Sequence, residues 1–250
     1  MITKEEYIEY ADSAYSIIPL TREIDNAGDT PISLYSKISD QQNTFLLESI
    51  EGGEKWAQFS IIGLDCKDTI KVSDKKIEIK TESGISKIES NEPLNELKKI
   101  IGIHKSPNLK DMPRFYGGYV GFFAYESAKF AEAKINDLPK KDSKFEEDMP
   151  DIYLVKSEKL IVYDNFNQTM QAIYNADPQK ISYEDAQKEI DEIQNSIDSS
   201  SQYREIEHSD ILGQLEYSSN FTKNEYIGAV KRVKEYIKEG DVRQVVLAED

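Results

Sequence analysis

One cysteine and two histidines among 250 residues leave this chain short of the side chains on which much metal and nucleophile chemistry is built. The lone Cys66 excludes an internal disulfide framework and suits a reducing compartment, where its expected role is filler beside a strand. One cysteine and two scattered histidines give a tetrahedral metal site nothing to be assembled from. His104 is expected at the end of a helix, near its negative pole, and His208 in a polar connecting stretch; both read as structural or solvated. Phosphate-binding Gly-x-x-x-x-Gly-Lys-Ser/Thr loops, Gly-x-Ser-x-Gly elbows and His-Glu-x-x-His pairs are missing. No apolar run approaches the ~20 residues of a membrane helix, and Met1-Ile-Thr-Lys-Glu-Glu6 is not followed by the apolar stretch of a signal peptide. A soluble, cytoplasmic protein is expected. Positive charge is also scarce: 31 basic against 47 acidic side chains give a net charge of −16. Such a surface repels phosphate backbones and anionic lipid, which argues against a nucleic-acid or membrane role.

What the chain does have is core material. Fifteen Tyr, nine Phe and one Trp, within a hydrophobic fraction of 38%, suffice for one large or two small domains. Residues 3–15 read as a short amphipathic helix. Short runs suited to strands follow at Ser33–Ser36, Thr44–Glu48, Ala57–Ile62, Thr69–Val72 and Lys76–Ile79, with Ser73-Asp-Lys75 as a hairpin turn between the last two. Residues 92–103 change to helical spacing through Leu94, Leu97, Ile100 and Ile101. Phe115–Glu126 is the most apolar segment and reads as a strand running into a helical turn; 136–150 reads as a loop around Pro139 and Pro150. Further strands are expected at Ile152–Val155, Leu160–Asp164 and Met170–Tyr174, with Asp164–Gln168 turning between the last two. Ala186, Ile190, Ile193 and Ile197 mark a helix over 182–198. Thr222 and Glu225 form a capping-box pattern before a helix that stops at Gly240, and Val242–Leu247 suits a strand. The fold class is therefore α+β, with largely antiparallel sheets flanked by helices. A strand placed so close to the end of the sequence suggests the front part of a longer protein.

Few residues offer chemistry. Gly117-Gly118 and Gly121 could let backbone approach a ligand, or allow a strand to pack tightly. Glu51-Gly-Gly-Glu54 reads as a turn. Leu47-Glu48-Ser49 would set a carboxylate and a hydroxyl at a strand end, able either to clamp the ammonium or carboxylate of a small ligand or simply to cap and turn the chain.

Several segments together resemble component I of anthranilate synthase, the chorismate-utilising subunit of tryptophan biosynthesis. They are Phe45–Gly63 (FLLESIEGGEKWAQFSIIG), Tyr116–Glu126 (YGGYVGFFAYE), Met149–Tyr153, Val162–Asp164, Ser219–Tyr226 and Lys234–Val246. The resemblance implies an N-terminal domain over 1–198, a linker over 199–218, and the start of a chorismate-binding catalytic domain over 219–250, in a protein roughly twice this length. It implies conversion of chorismate and ammonia to anthranilate and pyruvate. The ammonia would come from a glutamine amidotransferase partner subunit, the two kinds of subunit forming a heterotetramer. Mg2+ would assist, its ligands and the catalytic residues falling outside this segment. The Leu-Leu-Glu-Ser motif implies feedback inhibition by L-tryptophan at Ser49, with Glu48 and Leu47 beside it. The sequence departs from the family pattern at Asn165, where a histidine is common, at Arg243 in place of an aromatic, and over Ala248-Glu-Asp250. Two other readings are aminodeoxychorismate synthase component I, of the folate pathway, and a non-catalytic module that senses an amino acid.

Overall fold

The computed structural model describes residues 2–25, 28–38, 43–48, 58–110, 112–132, 149–199 and 219–248. The chain divides into two compact units, Met1–Arg204 and Glu205–Asp250.

The first unit is built on two five-stranded antiparallel sheets. Its elements run α1 (Lys4–Ala11), β1 (Ile18–Ile24), α2 (Pro31–Ile38), β2 (Phe45–Leu47), β3 (Phe59–Leu64), β4 (Thr69–Ser73), β5 (Lys76–Thr81), β6 (Gly84–Glu89), α3 (Pro93–Gly102), β7 (Gly118–Phe123), a 3-10 turn (Tyr125–Phe130), β8 (Ile152–Ser157), β9 (Lys159–Asp164), β10 (Thr169–Ala176) and α4 (Tyr183–Ser199). The first sheet has the order β1-β10-β9-β3-β2 and the second β6-β5-β4-β8-β7. The chain changes sheet twice within a few residues, from β3 to β4 and from β8 to β9. Because β3 pairs with β9 and β4 with β8, the two crossings lie side by side. The Lys156 amide donates to the Asp68 carbonyl at 2.9 Å, which ties the crossings together.

Each sheet buries one face under helices. Ala186, Ile190, Ile193 and Ile197 of α4, at most 4% exposed, form the apolar stripe that the spacing predicts. With residues of α1 and α2 they pack on Ile18, Leu20, Ile62, Ile161 and Met170 of the first sheet. Helix α3 contributes Leu97 to a core with Ile70, Val72, Ile77, Ile152 and Leu154 of the second. On the opposite face of the first sheet, Leu160, Val162 and Ile173 take Met112, Phe115 and Tyr116 against them.

Three differences from the sequence reading have identifiable causes. Ser33–Ser36, expected as a strand, is part of helix α2. Thr30 caps that helix: its hydroxyl accepts the Ser33 amide at 3.2 Å, and the Ser33 hydroxyl accepts the Thr30 amide at 2.9 Å. Pro31 suits the first turn, and Pro31, Leu34 and Ile38 give the helix a buried face. Strand β1 escapes notice because it is an edge strand carrying Pro19, Thr21, Arg22 and Glu23. Strand β6 is exposed nearly throughout and owes its form to pairing with β5. The loop expected over 136–150 lies, apart from Met149 and Pro150, outside the described residues.

In the second unit, helix α5 (Lys223–Glu239) opens with the expected capping box: the Thr222 hydroxyl accepts the Glu225 amide at 3.3 Å, and the Glu225 carboxylate accepts the Thr222 amide at 2.8 Å. It closes on Gly240 in the left-handed region at φ 85°. The strand expected at Val242–Leu247 does not form; the segment is irregular and Val246 is 81% exposed.

Candidate functional site at the end of β2

Strand β2 is a three-residue edge strand anchored at its start. Before it, Asn43 takes a left-handed conformation at φ 51°. The Asn43 side-chain Nδ2 donates to the Cys66 carbonyl at 3.1 Å, and its Oδ1 accepts the Tyr153 hydroxyl at 3.3 Å. Within it, Phe45 pairs with Gly63 of β3, and the Phe45 ring fills the space a side chain at 63 would need: a Cβ there would come within 2.1 Å of the ring. This is an aromatic side chain covering a strand glycine. Cys66 is buried just beyond β3, as expected of filler, and burial pushes its thiol up to about 12.

The strand ends at Leu47, paired with Ile61 and 44% exposed, and Glu48 follows, also exposed. Ser49 and the turn expected at Glu51–Glu54 lie outside the described residues. The structure therefore sets Leu47 and Glu48 together at the open end of an edge strand.

Near that end, where β3 begins and β9 ends, is a polar corner that the sequence reading named only as a turn and a departure at Asn165. Buried Ser60 accepts a hydrogen bond from the Asn165 side chain at 3.1 Å, and the Asn165 backbone amide donates to the Gln58 carbonyl at 2.7 Å. Asn165 thus fills the position where the resemblance noted a departure, and it ties the β9–β10 turn to β3. Asp164 accepts the amides of Phe166 and Asn167 and the side chains of Asn167 and Gln58, all within 3.1 Å. Burial opposes its charge, but these donors together outweigh burial and hold the carboxyl below its ordinary value. The available signals were the Asp-Asn-Phe-Asn turn and a serine at an inward position of an otherwise apolar strand.

A carboxyl with a lowered value stabilises the fold above its unfolded-state value near 3.9, and that contribution is lost as acid protonates it. Asp164→Ala is expected to lower stability at pH 7 by about 1–2 kcal/mol, since it removes donors' bonds to a charged acceptor. The deficit should shrink below pH 4, as compared by urea unfolding of both proteins across pH.

Gly117 and Gly121 serve packing. A Cβ at 117 would meet the Asn175 side chain at 2.6 Å, and one at 121 the Tyr153 carbonyl oxygen at 1.9 Å. His104 lies just beyond α3, 3.4 Å from the Tyr119 hydroxyl; His208 lies outside the described residues. Among the described residues, no three His, Cys, Asp or Glu side chains come together as a metal site. What the described residues place at the end of β2 is a carboxylate, Glu48, next to an apolar side chain, Leu47, both exposed. Among the described residues no helix is long and apolar enough to cross a membrane.

Two helix-covered antiparallel sheets joined by paired crossings mark an α+β protein. A family profile described as chorismate binding enzyme matches residues 42–250. The chain belongs to that family. It is 33% identical over 249 residues to "Anthranilate synthase component 1" of Pseudomonas aeruginosa, a match covering 98% of this chain and 50% of that protein. To the protein of the same name from Neisseria meningitidis serogroup B it is 34% identical over 247 residues, again 98% and 50%. The chain spans about half the length of the curated relatives it matches. The crystal structure of anthranilate synthase component I from Streptococcus pneumoniae TIGR4 shares the fold, with a TM-score of 0.54 at 24% identity over 88% of this chain and 46% of that one.

Proposed function

We propose that this chain is part of the large subunit of an anthranilate synthase, which converts chorismate and ammonia to anthranilate and pyruvate in tryptophan biosynthesis. The observation that carries the reading is the collinear match of 98% of the chain to one half of proteins named for that subunit. On this reading residues 1–198 are the regulatory N-terminal domain, 199–218 a linker and 219–250 the entry to the chorismate-binding domain. The groups of chemistry, with Mg2+, belong to the rest of the protein. A glutamine amidotransferase subunit supplies ammonia in a heterotetramer, and the assembly works in the cytoplasm.

The end of β2 is the proposed contact for L-tryptophan. Leu47 offers an apolar surface, Glu48 a carboxylate for the ligand's ammonium, and Ser49 a hydroxyl for its carboxylate. Inhibition then acts at a distance, through a coupling free energy of about 1–3 kcal/mol, or roughly 5–150-fold.

The test uses the complete protein that carries this chain, assayed for anthranilate with chorismate and ammonium salt. Anthranilate as product supports the reading; aminodeoxychorismate as product would replace it with the folate-pathway alternative. Ser49→Phe should raise the tryptophan concentration needed for half-inhibition by at least about tenfold while leaving turnover intact. Inhibition unchanged in that variant would remove Ser49 from the site.

A further inference from the structure

We propose that His104 is a proton-operated latch on the strap of residues 103–105, closed while its imidazole is neutral and released in acid. The strap leaves helix α3, which covers the second sheet, and fastens to the entrance of β1 in the first. The Ser16 and Ile17 amides both donate to the Lys105 carbonyl, at 2.9 and 3.1 Å, and the Lys105 amide donates to the Ser16 hydroxyl at 2.9 Å. The Ser16 hydroxyl in turn reaches the Ile103 carbonyl at 3.4 Å. His104 sits in the middle of this fastening.

Its ring turns onto the second sheet. The imidazole Nε2 lies 3.4 Å from the Tyr119 hydroxyl of β7, with ring centroids 6.2 Å apart. Tyr119 is paired across the ladder with Lys156 of β8. The Lys156 ammonium is 11% exposed and is held by Glu158 at 2.5 Å and Asp68 at 3.9 Å. The charged and titratable groups facing His104 are thus Tyr119 from β7, Lys156 from β8, Glu158 from the β8–β9 joint, Asp68 from the β3–β4 crossing and Asp177 just past β10. Burial first, and then the Lys156 ammonium, work against an imidazolium here; the three carboxylates recover part of that, and the balance leaves His104 below its ordinary value. Burial first, then Asp68 and Glu158, raise the Tyr119 hydroxyl to about 12, so it stays neutral throughout. It can accept from an imidazolium as well as donate to an imidazole. Release is therefore driven first by the desolvation cost of a partly buried imidazolium and then by the Lys156 ammonium, not by loss of the Tyr119 bond.

An open strap puts the ring in water, where its value is near 6.5. The open form then binds the proton more tightly than the closed one. The opening equilibrium rises as pH falls below about 6.5, by up to about tenfold per pH unit, until the closed form also takes its proton.

Hydrogen–deuterium exchange on the 250-residue chain between pH 7.5 and 5.5, corrected for intrinsic exchange, reads this directly. Protection at Ser16, Ile17 and Lys105 should fall several-fold per pH unit below 6.5, while Ile161 in the centre of the first sheet keeps its protection. In His104→Gln, which retains a side chain able to bond Tyr119, the dependence should vanish. A flat profile in the parent, an equally steep one in the variant, or parallel loss at Ile161 would each overturn the latch. As a second readout, the histidine carbon resonances should show the His104 midpoint moving upward in Lys156→Met. A midpoint that stays put would remove the ammonium from the device.

Discussion

Gly121→Ala is expected to cost about 4 kcal/mol, at the exceptional end for one substitution, or to prevent folding of the second sheet altogether. A Cβ at 121 would stand 1.9 Å from the Tyr153 carbonyl oxygen, 2.8 Å from its carbon and 2.9 Å from the Leu154 Cα. All three are backbone atoms of β8, which is held on its other side by β4. Overpacked cores usually lose about 1–3 kcal/mol because side chains can change rotamer; here no side chain is in the way, and a ladder must open instead. The cheaper escape is for β7 to detach, since it is an edge strand with one neighbour. Amides from Gly118 to Phe123 should therefore lose exchange protection ahead of the rest, with the urea midpoint falling. Gly102→Ala is the control: nothing lies within 4 Å of a Cβ there, at the end of α3. That change should be neutral or gain up to about 1 kcal/mol. Equal losses at the two positions would show that the clash is not the cause.

The same glycine shows where sequence reasoning stops. Gly117, Gly118 and Gly121 announce that something comes close to the backbone, and the sequence leaves ligand and strand both open. Only the register, with Gly121 opposite Leu154, makes it the strand. The elements legible in the sequence carry their signal locally: the capping box of α5, the four-residue stripe of α4, the apolar runs of β3, β4 and β9, and the Asp74 hairpin. Those misread depend on partners or on a cap that was passed over. β1 is polar on one face and contains Pro19, so only pairing with β10 makes it a strand. β6 has no period of its own. The Thr30-Pro31 start of α2 was available as a helix signal, but the alternation of Ser33 to Ser36 masked it. At the site, Leu47 and Glu48 could be picked out because they sit on a recognisable motif. The Gln58–Ser60–Asp164–Asn165 corner shows in the sequence only as a turn and an inward serine, because its hydrogen bonds join residues more than a hundred positions apart.

Asn175→Asp should be nearly as stable as the parent protein at pH 4 and about 4 kcal/mol less stable at pH 7. Asn175 is 6% exposed near the end of β10. Its side-chain amide donates to the Tyr116 carbonyl at 2.7 Å and lies 3.4 Å from the carbonyls of Ser157 and Glu158. One side chain of the first sheet thereby holds both the lead into β7 and the β8–β9 crossing, and Gly117 is the residue that makes room for it. An aspartate is nearly the same shape but aims an oxygen, not an N–H, at three carbonyl oxygens. Desolvation and that repulsion favour the protonated acid, and a buried carboxyl can be raised by about 3 units or more, each worth 1.36 kcal/mol. Below about pH 4 the acid is protonated in both folded and unfolded chains and can still donate to Tyr116. As pH rises the unfolded chain loses its proton first, so the penalty grows by up to about 1.4 kcal/mol per pH unit and levels off once the folded acid ionises. Urea midpoints of parent and variant measured from pH 4 to 8, compared as differences, give the shape of that curve. Asn175→Ala supplies the contrast, a loss of about 2 kcal/mol from three abandoned acceptors with no pH dependence of its own. If Asn175→Asp also showed a constant gap, shape rather than hydrogen-bond polarity would be what Asn175 contributes to the joint between the sheets.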